Sequence, residues 1–255
     1  MKIPPGEVLR YLKMGGVAAN ERLSALIGEL TDTFAANAAP KNVYGIWDCA
    51  INSTEAPNAV IIEGMTVKSE SLSRHLAGCH RAVLLAATLG AEADTLLRRY
   101  SVQDMGKAVI GQAVCAAMIE AYCDEIENEI TESPLVSGLC RTTRFSPGYG
   151  DFDITCQKDI VRLLNSERRI GLTLTGGLML VPSKSVTAVI GFSEEKIHNE
   201  VKCNHCIEKS CEFRELSYWI FWNGWKKKDW SLTEPWARCF RPMDLEPESC
   251  LNYGT

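Results

Sequence analysis

Two groups of residues in this 255-residue chain have types and spacings suited to chemistry. The first is Arg144-Phe145-Ser146-Pro147-Gly148-Tyr149. A guanidinium forks onto a carboxylate through two parallel hydrogen bonds. A Pro-Gly bend brings the backbone close to a ligand, because glycine carries no side chain to hold it off. A tyrosine adds a ring face and a hydroxyl. Together they can grip a small zwitterion, and a plain turn is the competing reading. The second group is Cys203-Asn204-His205-Cys206-Ile207-Glu208-Lys209-Ser210-Cys211. Cys203, Cys206 and Cys211 are spaced to face one metal ion or cluster, with His205, Cys239 or Cys250 as candidates for a fourth ligand. Structural zinc, an iron–sulfur cluster and free thiols all remain open at this point.

Other chemistry-bearing residues read more plainly. Cys115 and Cys123 fall on an apolar helix and are packing residues. Cys140 and Cys156 flank the Arg144 loop. His75 and His80 have no partner at ligand spacing and read as structural, and Lys184 reads as facing solvent. The tail tryptophans read as core or interface.

The elements that must hold these residues follow from periodicity. Segments 7–13 and 20–36 read as helices, the second with Leu23, Leu26, Ile27 and Leu30 on one face and Asn20 as N-cap. Segments 43–51 and 59–62 read as strands. A short helix is expected at about 69–77, a buried strand within 80–89 around Ala82-Val83-Leu84-Leu85-Ala86-Ala87, and a helix from Gly90 to about 100. The strongest signal is a helix over 102–130, with Ser101 and Asp104 resembling a capping box. Ile110, Ala113, Val114, Ala117, Met118 and Ala121 form its apolar stripe. Its acidic second half (Glu120, Asp124, Glu125, Glu127, Glu129) reads mostly as a wet face. After the loop, 156–164 reads as helix. Strands are expected at 172–174, 178–181 and 186–192, with Gly176-Gly177 as a hairpin turn.

This order lacks a β-α-β repeat, which predicts an α+β fold: a twisted, mainly antiparallel sheet flanked by helices, with one long central helix. The expected division is a helical segment 1–40, an α+β domain 41–193 and an irregular Cys/Trp-rich extension 194–255. Five of the six tryptophans lie in that extension.

Composition excludes several classes. A net charge of −5 announces no basic face for nucleic acid. No apolar run approaches the roughly 20 residues that span a bilayer, and the start lacks the apolar core of a signal peptide. Eleven cysteines, an odd number, do not form a secreted disulfide framework, so a reducing cytoplasm is expected.

With these pieces in order, the chain resembles the reactivation domain of cobalamin-dependent methionine synthase, in its free-standing form. The resemblance runs from about Ala82 to Ser193. It rests on the run ending Ala87-Thr88-Leu89-Gly90, the long helix with Glu120, the Arg144–Tyr149 loop and the Val181-Pro182-Ser183-x-Ser185 element. It implies that S-adenosylmethionine binds at this loop. Arg144 would pair with the ligand carboxylate, and Glu120 would oppose the ammonium or sulfonium. Backbone around Ser146 and Gly148 would meet the adenine or ribose, with Tyr149 lining the pocket. The resemblance further implies reductive methylation of cob(II)alamin, with a flavodoxin or ferredoxin-like donor supplying one electron. The sequence departs from the family's pattern at Gly138, where an acidic residue is expected, and at Phe192-Ser193-Glu194-Glu195, where tyrosines are.

No Asp-x-His-x-x-Gly cobalamin motif occurs in the chain, so the cobalamin would be held by a partner, either methionine synthase or another corrinoid protein. The alternatives are a redox or docking accessory for another corrinoid methyltransferase, and a metal-stapled interaction protein without catalysis.

Overall fold

The apolar run at 82–87 builds an inner strand of the main sheet. In the computed structural model, which describes residues 3–14, 19–54 and 57–195, this run lies in strand β4 (Arg81–Thr88). Successive side chains of a strand point to opposite faces. Val83, Leu85 and Ala87 therefore enter one apolar cluster, and Ala82, Leu84 and Ala86 enter another. A strand covered on both faces needs no polar alternation, which is why the sequence here is continuously apolar.

Around β4 stand β1 (Lys41–Asn52), β2 (Ala59–Ile62), β3 (Met65–Lys68), β5 (Cys140–Arg141) and β8 (Ser185–Ser193), in the order β3-β2-β1-β4-β8-β5. Every pairing in this six-stranded sheet is antiparallel. The expected α+β architecture is what the chain adopts. A separate two-stranded hairpin joins β6 (Thr173–Leu174) to β7 (Leu180–Val181).

One face of the sheet is covered by α1 (Pro5–Tyr11), α2 (Glu21–Asn37), α4 (Ala91–Gln103) and the long α5 (Met105–Glu132). Phe34 of α2 and Val114 and Met118 of α5 are fully buried there, beside Val83 and Leu85. Burying a Leu, Val or Phe side chain contributes about 1.5–3 kcal/mol, so this seam anchors α5. The other face carries α3 (Glu70–His75), α6 (Gln157–Leu164) and α7 (Ser166–Ile170), with Leu72, Ile160 and Phe152 in its cluster.

Helix starts follow their caps. Asn20 Oδ1 accepts from Leu23 N at 2.8 Å, and Ser69 Oγ accepts from Leu72 N at 3.0 Å. The capping box expected at Ser101 is not formed. Ser101 continues α4 and its hydroxyl donates to Arg98 O, while Asp104 caps α5 by accepting from Lys107 N. The two helices expected here do form, with the break at Asp104 rather than at Ser101. The expected Gly176-Gly177 turn is also wider in the structure. Thr175 N donates to Met179 O, and the positive φ falls on Leu178.

Candidate functional site

The acidic half of α5 and the loop after it form one unit. Glu120, Asp124 and Glu127 are spaced by four and three residues, which puts them on one helix face. Arg141, in β5, and Arg144 lie opposite. The Arg144 guanidinium donates to Glu120 Oε2 at 2.9 Å, to Asp124 Oδ1 at 2.8 Å and to Glu127 Oε1. Arg141 donates to the other oxygen of Glu127. Glu127 thus bridges two arginines.

Most of the acidic half is the wet face expected of it, with Glu127 as the exception: its side chain is only 5% exposed. Burying a charge is costly unless it is paired and hydrogen-bonded, and Glu127 is paired at both oxygens. Burial works against the charge on Arg144, but the carboxylates of Glu127, Asp124 and Glu120 outweigh it, so its pKa rises above the ordinary arginine value. Cys123, beneath this cluster, is pushed up to about 12 by burial, with Arg144 pulling the other way.

The structure therefore brings Arg144 and Glu120 together, but in contact with each other. A ligand carboxylate reaching the Arg144 fork would have to share it with three carboxylates of the chain itself. Glu120 and Asp124 are the accessible members, with side chains 41% and 67% exposed.

The rest of the loop turns along the sheet edge. Phe145 extends the edge by exchanging hydrogen bonds with Val189 of β8, at 2.9 and 2.8 Å. Ser146 O accepts from Tyr149 N, and Gly148 N donates to Phe152 O at 2.7 Å. Gly148 has φ of 96°, a conformation that favours glycine. Tyr149 is 60% exposed, and its ring leans on Phe145 with centroids 6.3 Å apart. Ser146 is half-buried and Gly148 is exposed.

The Pro-Ser element is fastened elsewhere. Ser183 donates from its amide and its hydroxyl to Asp94 of α4, at 2.7 and 2.6 Å. Lys184 does not face open solvent: it is half-buried, donates to Gln112 O at 3.3 Å, and burial lowers its pKa. One depression of about 360 Å³ is lined by Asn37, Ala91, Glu92, Thr95, Leu96 and Arg99. Another of about 280 Å³ includes Asp94, Gln112 and Ser183. Neither includes a residue of the 144–149 loop.

Cys203, Cys206 and Cys211 lie outside the described residues, as do His205, Cys239, Cys250 and the tail tryptophans. Among the described residues no three His, Cys, Asp or Glu side chains are grouped to hold a metal ion. No described helix is long and apolar enough to cross a membrane.

Sequence reasoning passed over Asp124, Glu127, Arg141 and Asp151. The first three had a signal: carboxylates at 120, 124 and 127 facing arginines three residues apart. Asp151 had none, because its partners lie about 80 positions away.

Comparison with known proteins gives this arrangement a context. The crystal structure of the MetH reactivation domain bound to AdoHcy shares the fold, with a TM-score of 0.54 over 76% of this chain and 78% of that one, at 16% identity. The sequence model of the vitamin B12 dependent methionine synthase activation domain matches residues 78–203, a span that contains β4, α5 and the Arg144 loop. Over this segment, just under half of its length, the chain is similar to that activation-domain family. No curated protein matches the chain.

Proposed function

We propose that the chain is a reactivation subunit: it binds S-adenosylmethionine beside the 144–149 loop and serves a cobalamin protein separate from itself. The observation that carries this reading is the family match over 78–203, which takes in both walls of the candidate site. In this reading residues 41–193 form the working domain and 1–40 support it. Ser146 and Gly148 offer main-chain groups, Tyr149 an exposed ring, and Glu120 with Asp124 a negative mouth for the ammonium or sulfonium. An external one-electron donor of the flavodoxin or ferredoxin class reduces cob(II)alamin on the partner. The methyl–sulfur bond of the ligand then breaks, the methyl passes to cobalt, and S-adenosylhomocysteine leaves. The chain contributes positioning, since the sulfonium is already an activated electrophile. The setting is cytoplasmic.

Calorimetry of the intact protein with S-adenosylmethionine and S-adenosylhomocysteine tests the reading. Saturable binding of both supports it, and no heat with either at millimolar ligand rejects it.

One observation favours a second reading. Arg144 is already engaged by three carboxylates of the chain, as expected of a family member that docks a corrinoid protein without the ligand. Capture of a corrinoid protein together with a null calorimetric result selects this alternative.

A further inference from the structure

The geometry points to α3 as the element that positions the ligand loop, with Asp151 as the positioning residue through which it acts. This rests on reading 144–149 as the ligand loop. Asp151 follows that loop after Gly150, and its carboxylate reaches back to the start of α3. Oδ1 accepts from Ser69 Oγ at 2.6 Å and from Ser71 N at 2.9 Å, and Oδ2 accepts from Glu70 N at 2.7 Å. The Ser69 hydroxyl is used twice, since it also accepts from Leu72 N. Asp151 thus joins the Ser69 hydroxyl in the cap of the helix, its carboxylate accepting from two of the free amides.

The other end of α3 holds the other end of the loop. His75 Nε2 donates to Thr143 O at 2.8 Å, and the His75 ring stacks on Phe145 with centroids 4.8 Å apart. Phe145 in turn stacks on Phe152, at 6.1 Å. A single short helix therefore clasps the chain at 143–145 and again at 151. The helix itself is firmly seated, with Leu72 and Leu76 fully buried. The close approach is visible at Gly150, where a Cβ would come within 2.6 Å of Ser71 Oγ.

Between the two clasps lie Ser146, Gly148 and Tyr149, the loop residues that offer main-chain groups and a ring. Fixing both ends removes the ordering cost that a mobile loop would impose on binding.

Hydrogen exchange of the intact protein, read by mass spectrometry, tests this alongside calorimetry with S-adenosylhomocysteine. In Asp151→Ala, exchange at 145–150 should speed up and affinity fall, each by about tenfold. Exchange in β4 and α5 should stay at wild-type rates, which a general loss of structure would not allow. Asp151→Asn, which keeps one acceptor oxygen, should recover part of both effects. Ser69→Ala removes one of the three bonds together with the cap on Leu72 N, and serves if Asp151→Ala does not fold. Unchanged loop exchange in a folded Asp151→Ala protein overturns the proposal. Failure of the wild-type protein to bind the ligand rejects the ligand reading only, and the exchange result then decides the clasp by itself.

Discussion

Glu127 and Arg144 form a buried ion pair beneath the candidate ligand loop, with side chains 5% and 12% exposed. The pair ties the loop to α5, the best-packed helix of the fold. Removing one partner of a buried pair leaves a charge out of water without compensation, and such losses run to about 3–5 kcal/mol. Arg141 still faces Glu127 when Arg144 is removed, so Arg144→Ala should fall near the low end, at about 3 kcal/mol. Arg144→Lys should recover less than half, since an ammonium cannot present the planar fork that reaches three carboxylates. Urea denaturation of the two variants measures both numbers. A cost within about 0.5 kcal/mol of wild type for Arg144→Ala, the range of ordinary surface changes, rules out the anchoring role.

Glu120 and Asp124 are placed differently from Glu127, because both reach solvent. Exposed ion pairs contribute about 0–1 kcal/mol, so Glu120→Gln and Asp124→Asn should barely change stability. Their effect belongs to the ligand. S-adenosylmethionine carries a sulfonium charge that S-adenosylhomocysteine lacks, while the amino-acid ends are alike. The double variant should therefore weaken S-adenosylmethionine up to about fivefold more than S-adenosylhomocysteine. Parallel calorimetric titrations give the ratio, and an unchanged ratio removes these carboxylates from the sulfonium site.

Much of the scaffold could be read from residue patterns. Asn20 and Ser69 cap the helices expected after them, and the run 82–87 is the central strand. These features are local or strongly apolar, so neighbours in sequence determine them. Strand β3 and the two-residue β5 went unread, since four and two residues carry little periodicity. The site was legible in its loop but not in its pairing. Arg144 could equally face a ligand or the helix before it, and the choice depends on where α5 lies relative to β5. Asp151 shows the limit most clearly, because its role exists only once α3 and the loop meet across 80 or more positions.

The buried thiols set a chemical order of reactivity. Burial pushes Cys115 and Cys123 up to about 12, and Cys79 likewise, with Cys49 at about 11. The thiolate is the reactive form, and at pH 8 only roughly one in ten thousand of a group titrating near 12 is ionised. Among the described cysteines, Cys140 and Cys156 are the two that are not buried. Iodoacetamide at pH 8 should modify these two first, leaving Cys115 and Cys123 unmodified until the protein unfolds. Peptide mapping after timed quenching reads the order. Early labelling of Cys123 in folded protein would mean that the Arg144 cluster opens in solution.

Asp151 predicts how the loop responds to acid. Burial on its own pushes the carboxyl toward its neutral form, but the bonds from Ser69 Oγ and from the amides of Ser71 and Glu70 outweigh this and hold it well below the usual carboxylate range. A group whose pKa is depressed on folding contributes stability that is complete above its unfolded value, about 4 for Asp, and that fades as pH falls through the folded value. The clasp should therefore hold unchanged from neutral pH down past the point where ordinary carboxylates protonate, and release only in strong acid. Asp151→Asn has no such titration. The difference in loop exchange between wild type and Asp151→Asn should stay constant through mild acid and close only below the ordinary carboxylate range. A difference that already closes as ordinary carboxylates titrate would show that these three bonds do not favour the ionised form, and the clasp would then lack the charge that holds it.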